Sequence, residues 1–222
     1  MKQGERSALE PQNGVIDALY DSEQELAVTE LLNLSGVAVR LRKPAYLFHQ
    51  FQGSTNDCGP TSLAIAANTL AGVPEWEGAL VAQDMDRIGL AWRAFPFVAP
   101  SRIPGWATFP WGMVHHLRKR GIRARWGLCG TAGRLQRNLL DDRITIVVVG
   151  EPLRWKQRKY RGWAHIKLIY GYAAGRGFLF VDPAVRISGS RDGLEHHGLS
   201  WQQEEEFLRQ WASMLRTYVE VG

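Results

Sequence analysis

The sequence contains only two cysteines in 222 residues, Cys58 and Cys129. So low a count excludes a disulfide framework and suits a reducing compartment. If Cys58 is catalytic, pairing it with Cys129 would inactivate the protein, so Cys129 is expected as a buried or partly buried free thiol. No stretch approaches the ~20 consecutive apolar residues that a membrane helix requires, so no span is expected. The N-terminus, Met-Lys-Gln-Gly-Glu-Arg-Ser, runs into polar residues with no apolar core. No secretory signal is therefore read, and the cytoplasm is the default compartment, with export by a specialised secretion system left open. Internal repeats and low-complexity tracts are also missing. Neither adjacent histidine pair, His115–His116 or His196–His197, has the acidic or cysteine neighbours of a zinc site. Adjacent residues on a helix point in different directions, so no metal and no cofactor are expected.

What is present is ordinary in bulk and uneven in distribution. Hydrophobic residues make up 45% and charged residues 22%, as in a soluble domain with a substantial core. The 27 basic and 22 acidic residues are not evenly spread. Residues 1–36 hold two of the former and seven of the latter, leaving 25 against 15 over residues 37–222. An acidic leader on a basic body is read as two solvated faces or as a regulatory segment.

Residues 1–20 look weakly structured, with Pro11, Asn13 and Gly14 interrupting. Asp21 or Ser22 can cap a helix that ends at Ser35-Gly36, and a short strand is expected from Val37 to Leu41. Val73-Pro74-Glu75 starts a helix running to about Met85. Between Ile88 and Pro110, four prolines and five large aromatics exclude regular structure throughout. That stretch is either a covering loop packed on the core or one wall of a cleft. A helix over Trp111 to Arg120, a strand over Arg123 to Cys129 and a helix capped by Thr131 follow. A β-branched strand is expected from Arg143 to Val149. Ser200 and Gln203 form a capping box for a last helix reaching about Arg216, before a final strand at Thr217 to Val221.

The stretch Gln52-Gly-Ser-Thr-Asn-Asp-Cys58-Gly-Pro-Thr-Ser-Leu-Ala-Ile-Ala-Ala-Asn68 carries the chemistry. Cys58 falls where a polar segment becomes an apolar helix, with Gly59 and Pro60 suited to its first turn. A cysteine there meets unpaired N–H groups and the positive end of the helix dipole, which favour thiolate, the attacking form. The competing reading is an inert, buried cysteine at the start of a core helix. His165 lies in an apolar, β-branched run, Trp-Ala-His165-Ile-Lys-Leu-Ile-Tyr-Gly-Tyr172, and Asp182 ends the next run, Gly-Phe-Leu-Phe-Val-Asp182. A turn around Ala174 to Gly177 would make these two strands a hairpin with His165 beside Asp182. A base oriented by a carboxylate, opposite a helix-terminal cysteine, is the arrangement acyl transfer needs. Gln52, six residues before Cys58, can supply an amide N–H to a developing oxyanion beside the Cys58 N–H.

Gln-x5-Cys-Gly, Asp-Cys-Gly-Pro-Thr-Ser-Leu-Ala, His-x-x-x-x-Tyr-Gly-Tyr and Val-Asp-Pro-Ala together resemble the papain-like bacteriocin-processing (double-glycine leader) peptidase family and its broader relatives. The similarity covers roughly residues 45–221, including Glu205 to Trp211, a C-terminal segment such domains often carry. The resemblance implies an α+β papain-like cysteine peptidase fold, with a helical half carrying Cys58 and an antiparallel half carrying His165 and Asp182. It implies Cys58 as nucleophile, His165 as general base and acid, Asp182 as orienter and Gln52 as oxyanion residue. The corresponding division is an acidic extension with one helix over 1–36 and a peptidase domain over 37–222. Family members are usually fused to a membrane-spanning transporter, and no such segment occurs in this sequence.

The basic segment Arg154-Trp-Lys-Gln-Arg-Lys-Tyr-Arg161 just precedes His165. Such a pattern can bind nucleic acid, but its length and position favour a flap over the cleft that attracts an acidic peptide, or else a solvated hairpin loop. The expected partner is a peptide or protein substrate, acidic where the flap draws it, and not nucleic acid. The same triad also fits a transpeptidase, amidase or acyltransferase, and the fold alone fits a non-catalytic peptide-binding domain.

Overall fold

The computed structural model describes residues 26–87, 92–94, 97–156, 159–187 and 193–222, and side chains outside 87, 92–94, 97–99, 152–156 and 159–161. The readings of residues 1–20 and of the Asp21 or Ser22 cap, and the side chains of the basic segment, lie outside these residues. The described part of a first helix, α1, covers residues 26–34. Its Val28 and Leu32 are buried in the same core as the rest of the chain. A short strand, β1 (Val39–Arg40), follows it.

Helix α2 (Cys58–Ala71) is buried without interruption from Gly59 to Thr69. Small residues make that possible, because a helix surrounded on all sides needs neighbours close to its backbone. At Gly59 a Cβ would lie 2.6 Å from Thr108, closer than side chains pack. The helix ends at Gly72, whose left-handed conformation (φ +73) lets its N–H reach the Asn68 carbonyl. Helix α3 (Gly78–Arg87) starts later than the sequence suggests. Residues 76–78 are tied down first: the Trp76 N–H donates to Asn68 Oδ1 (2.7 Å) and the Gly78 N–H to Gln50 Oε1 (2.8 Å).

The proline-rich stretch forms two small hairpins, β2 (Trp92–Ala94) with β3 (Phe97–Ala99) and β4 (Arg102–Ile103) with β5 (Ala107–Thr108). Its described aromatics divide between packing and exposure. Trp111 stacks on Phe109 and donates to the Pro100 carbonyl, whereas Trp106 remains 61% exposed at the β4–β5 turn. Helix α4 (Pro110–Lys119) begins with proline, as a first helical turn favours. After β6 (Ala124–Gly127), helix α5 (Ala132–Leu140) is capped by Thr131, which accepts from the Arg134 N–H.

The second half is one antiparallel sheet. Strands β7 (Ile144–Lys156), β8 (Lys159–Ala173) and β9 (Gly177–Val181) form consecutive hairpins. With β10 (Leu199–Gln202) and β11 (Tyr218–Val221), the order is β10-β9-β8-β7-β11-β6, and β1 pairs with β8. The β7–β8 ladder extends past an irregularity at Glu151/Arg154 to the pairs Arg154↔Arg161 and Lys156↔Lys159. The basic segment is thus the far end of a hairpin. Helix α6 (Glu204–Ser213) packs Phe207 against Phe178 and Phe180 of β9, and Trp211 stacks on Phe207. Helices gathered mainly in the first half and antiparallel strands in the second make the fold α+β. No helix among the described residues is long and apolar enough to cross a membrane.

Two further expectations need correction. Ser200 caps no helix: it lies in β10, paired with Phe180, so α6 starts at Glu204 behind Gln203, which makes no side-chain cap. Three glutamates in the first turn face the helix dipole instead, and the helix ends at Ser213 before Leu215 and Arg216 turn to positive φ. Cys129 is exposed rather than buried, because it occupies a turn after β6 at φ +54, with its N–H on the Leu215 carbonyl. His196 and His197 lie in a 3-10 turn, Leu194–His197.

Candidate active site

The register of the β8–β9 hairpin sets the geometry. Leu168 pairs with Val181, so Asp182 follows opposite Lys167 and diagonal to His165. From there the carboxylate reaches the imidazole: Asp182 Oδ1 lies 2.6 Å from His165 Nε2. The Ala184 N–H also donates to Oδ1, at 2.9 Å. Cys58, the first residue of α2, lies close enough to the imidazole to interact with it and favour its charged form. The buried Ser62 hydroxyl, one turn along, donates to the Ile166 carbonyl at 3.1 Å and fastens α2 to β8 beside His165. Three side chains far apart in sequence therefore meet.

Burial opposes a charge on His165, but the Asp182 carboxylate and Cys58 outweigh it and raise the imidazole from 6.5 to about 9. Asp182 shows the complementary shift. Burial pushes its carboxyl up, while the His165 hydrogen bond, Lys167 and the Ala184 N–H bring it below the usual range.

Gln52 sits on the segment leading into α2. Its backbone N–H donates to the Pro183 carbonyl at 2.9 Å, linking it to the residue after Asp182. Its Nε2 donates to the Thr55 carbonyl at 2.9 Å, and the Thr55 hydroxyl returns a bond to the Gln52 carbonyl. Gln52 Oε1 is buried and has no hydrogen-bond partner among the described residues. The loop before Cys58 is braced from the other side by the β4–β5 hairpin. Arg102, itself buried, binds the carboxylate of Asp57, and Asn56 donates to the Gly105 carbonyl at 2.6 Å. The proline-rich stretch thus forms a wall next to Cys58 as well as a packed cover.

Sequence reasoning missed two groups around Asp182. His49 Nε2 lies 2.9 Å from the Asp182 carbonyl oxygen, and burial holds this imidazole below its usual value. Lys167 Nζ lies 3.9 Å from Asp182 Oδ2 and is almost fully buried. Period-two reasoning could have found Lys167, because it is two residues from His165 on a strand and shares its face. Nothing local points to His49. Elsewhere, His116 is buried beside Asp84, with Nδ1 3.6 Å from Oδ2, a partner the sequence did not reveal. Burial lowers its pKa to about 4. No group of three or more histidine, cysteine or acidic residues suited to a metal occurs among the described residues.

No family model matches the sequence, and no curated protein matches it either. Solved structures do. A protein described as a C39-like peptidase from Bacillus anthracis aligns at a TM-score of 0.55 and 13% identity, over 83% of this chain and 96% of that one. The peptidase domain of Streptococcus ComA, a bifunctional ABC transporter of a quorum-sensing pathway, aligns at 0.46 and 15% identity, over 79% and 98%. A procathepsin B from Trypanosoma congolense aligns at 0.43 and 10% identity, over 81% and 72%. The chain has the papain-like fold of the C39-like peptidases.

Proposed function

We propose that this protein is a cysteine peptidase that cleaves a peptide or protein substrate through Cys58, His165 and Asp182. The observation that carries the reading is the continuous contact from Asp182 through His165 to Cys58 at the head of α2. In the resting site His165 holds the proton and Cys58 is the thiolate, each stabilising the other's charge. The thiolate attacks the scissile carbonyl carbon, and the electron pair of the C=O moves onto oxygen. The Cys58 N–H and one N–H of Gln52 Nε2 hold that oxyanion. The bond of Nε2 to Thr55 occupies its other hydrogen and fixes the amide plane.

Collapse of the tetrahedral adduct expels the amine, which takes the proton from His165 and leaves a thioester on Cys58. Water attacks the thioester, giving a proton to His165, and the acid departs as the thiolate re-forms. Asp182 holds the imidazole in orientation throughout and does not itself exchange the proton. An amine or thiol in place of water would turn the same acyl-enzyme into a transferase. The basic end of the β7–β8 hairpin supports an acidic substrate segment, drawn by charge.

The test compares new protein N-termini generated in a proteome by the wild type and by Cys58→Ala. Termini made only by the wild type support the reading. Identical termini with both proteins refute it.

A further inference from the structure

Asp182 is flanked by two cationic side chains, and the proposed cycle uses only one of them. Oδ1 is committed to His165 and to the Ala184 N–H. On the Oδ2 side stand the Ser200 hydroxyl at 3.5 Å and Lys167 Nζ at 3.9 Å. The Lys167 side chain is 8% exposed, a costly place for an ammonium without a compensating partner. Its surroundings hold it there. Gln202 Oε1 accepts from Nζ at 2.8 Å, and the ring of Phe180 lies 3.9 Å beneath it. Gln202 is in turn fixed by Gln210 (2.7 Å), and Gln210 by Glu206 (3.0 Å) on α6. The ammonium is thus pinned by a chain of side-chain hydrogen bonds running from α6 through Gln202, which holds it within 3.9 Å of the carboxylate.

We propose that Lys167 is a positioning residue of the site: it fixes the second oxygen of Asp182, so that the carboxylate stays ionised with Oδ1 aimed at His165. A carboxylate held on one oxygen alone can rotate and exchange its oxygens, whereas one held on both cannot. The charged groups acting on Lys167 are Asp182, just past the end of β9, and Glu206 from α6, and His165 stands two residues away on its own strand. Burial lowers its pKa to about 8 against the pull of Asp182 and Glu206, so the ammonium is present at neutral pH and lost above it. This inference rests on Cys58, His165 and Asp182 being the reacting set.

The test is a double-mutant cycle on a fluorogenic peptide that the wild type cleaves. Lys167→Met is expected to lower kcat about tenfold, through loss of the ammonium 3.9 Å from the carboxylate, with KM unchanged. In an Asp182→Asn background the same substitution is expected to change nothing further, because its effect passes through the carboxylate. Lys167→Arg, which keeps the charge, should recover part of the loss and move the alkaline decline in kcat from near pH 8 to near pH 9, where His165 loses its proton. A merely structural role would make the two losses multiply, and that result overturns the proposal while leaving the triad untouched. If Lys167→Met does not fold, Gln202→Leu, which releases Nζ, replaces it in the same cycle with the same expectations. A Cys58→Ala variant that cleaves the peptide as fast as the wild type would instead overturn the triad.

Discussion

Titrating His165 should be visible in the protein's stability, because its proton is bound far more tightly in the folded chain than in the unfolded one. Its pKa rises from 6.5 to about 9 in a side chain 17% exposed. At ~1.4 kcal/mol per tenfold in proton affinity, this amounts to ~3 kcal/mol favouring the fold when the imidazolium is present. A raised pKa contributes fully below 6.5 and is lost as the pH climbs through about 9. Lys167 works in the opposite sense: its lowered pKa disfavours the fold at neutral pH, and that cost is relieved above about 8. Comparing Cys58→Ala with Cys58→Ala/His165→Gln cancels the Lys167 contribution to first order and keeps the Cys58 proton out of the difference. Urea unfolding of both proteins at pH 6, 7, 8, 9 and 9.5 gives the stability difference at each pH. The difference should shrink as the pH rises from 6 to 9.5, by up to ~3 kcal/mol, with Asp182 alone holding the proton. A flat difference across that range would show that Asp182 does not hold the His165 proton, and the electrostatic account of the site would fail.

Other outcomes follow from the same geometry. Asp182→Asn should reduce turnover without abolishing it, while Cys58→Ala abolishes it and leaves the fold intact; equal residual activities would deny Asp182 an orienting role. Leu32→Ala should lower stability by about 2–5 kcal/mol, because Leu32 is 1% exposed in the common core. A negligible loss would instead favour a domain that begins only at residue 37. If the basic β7–β8 hairpin draws acidic substrates, kcat/KM should fall as salt rises, and a flat dependence removes that idea.

The parts of the fold visible in the sequence were those written locally. The boundary at Cys58, the small residues of α2, the β-branched run through His165 and the turn before Gly177 each follow from neighbouring residues. The one long-range step visible was the hairpin that brings Asp182 to His165, because a short connection fixes which strands pair. What escaped depends on contacts across many residues. Ser200 and Gln203 have the spacing of a helix cap, yet pairing of β10 with β9 claims Ser200 for a strand. Cys129 sits in an apolar context, yet backbone bonding to Leu215 places it in an exposed turn. Lys167 is hidden by composition: one lysine in an apolar run reads as a solvated side chain unless the strand's face is already known to hold His165. The side chain of Gln52 folds onto Thr55, a detail that spacing from Cys58 does not encode.

The two cysteines allow a direct test with an internal control, since Cys129 is exposed and Cys58 only partly so. Carboxymethylation by iodoacetamide at pH 6, followed by mass spectrometry of each cysteine peptide, compares a thiol held against His165 with one in an open turn. Accessibility alone favours Cys129, whereas a thiolate stabilised by imidazolium favours Cys58. The account predicts that Cys58 reacts far faster than Cys129 and that His165→Gln removes the advantage. Faster reaction at Cys129 in the wild type, or a Cys58 rate indifferent to His165, would contradict it.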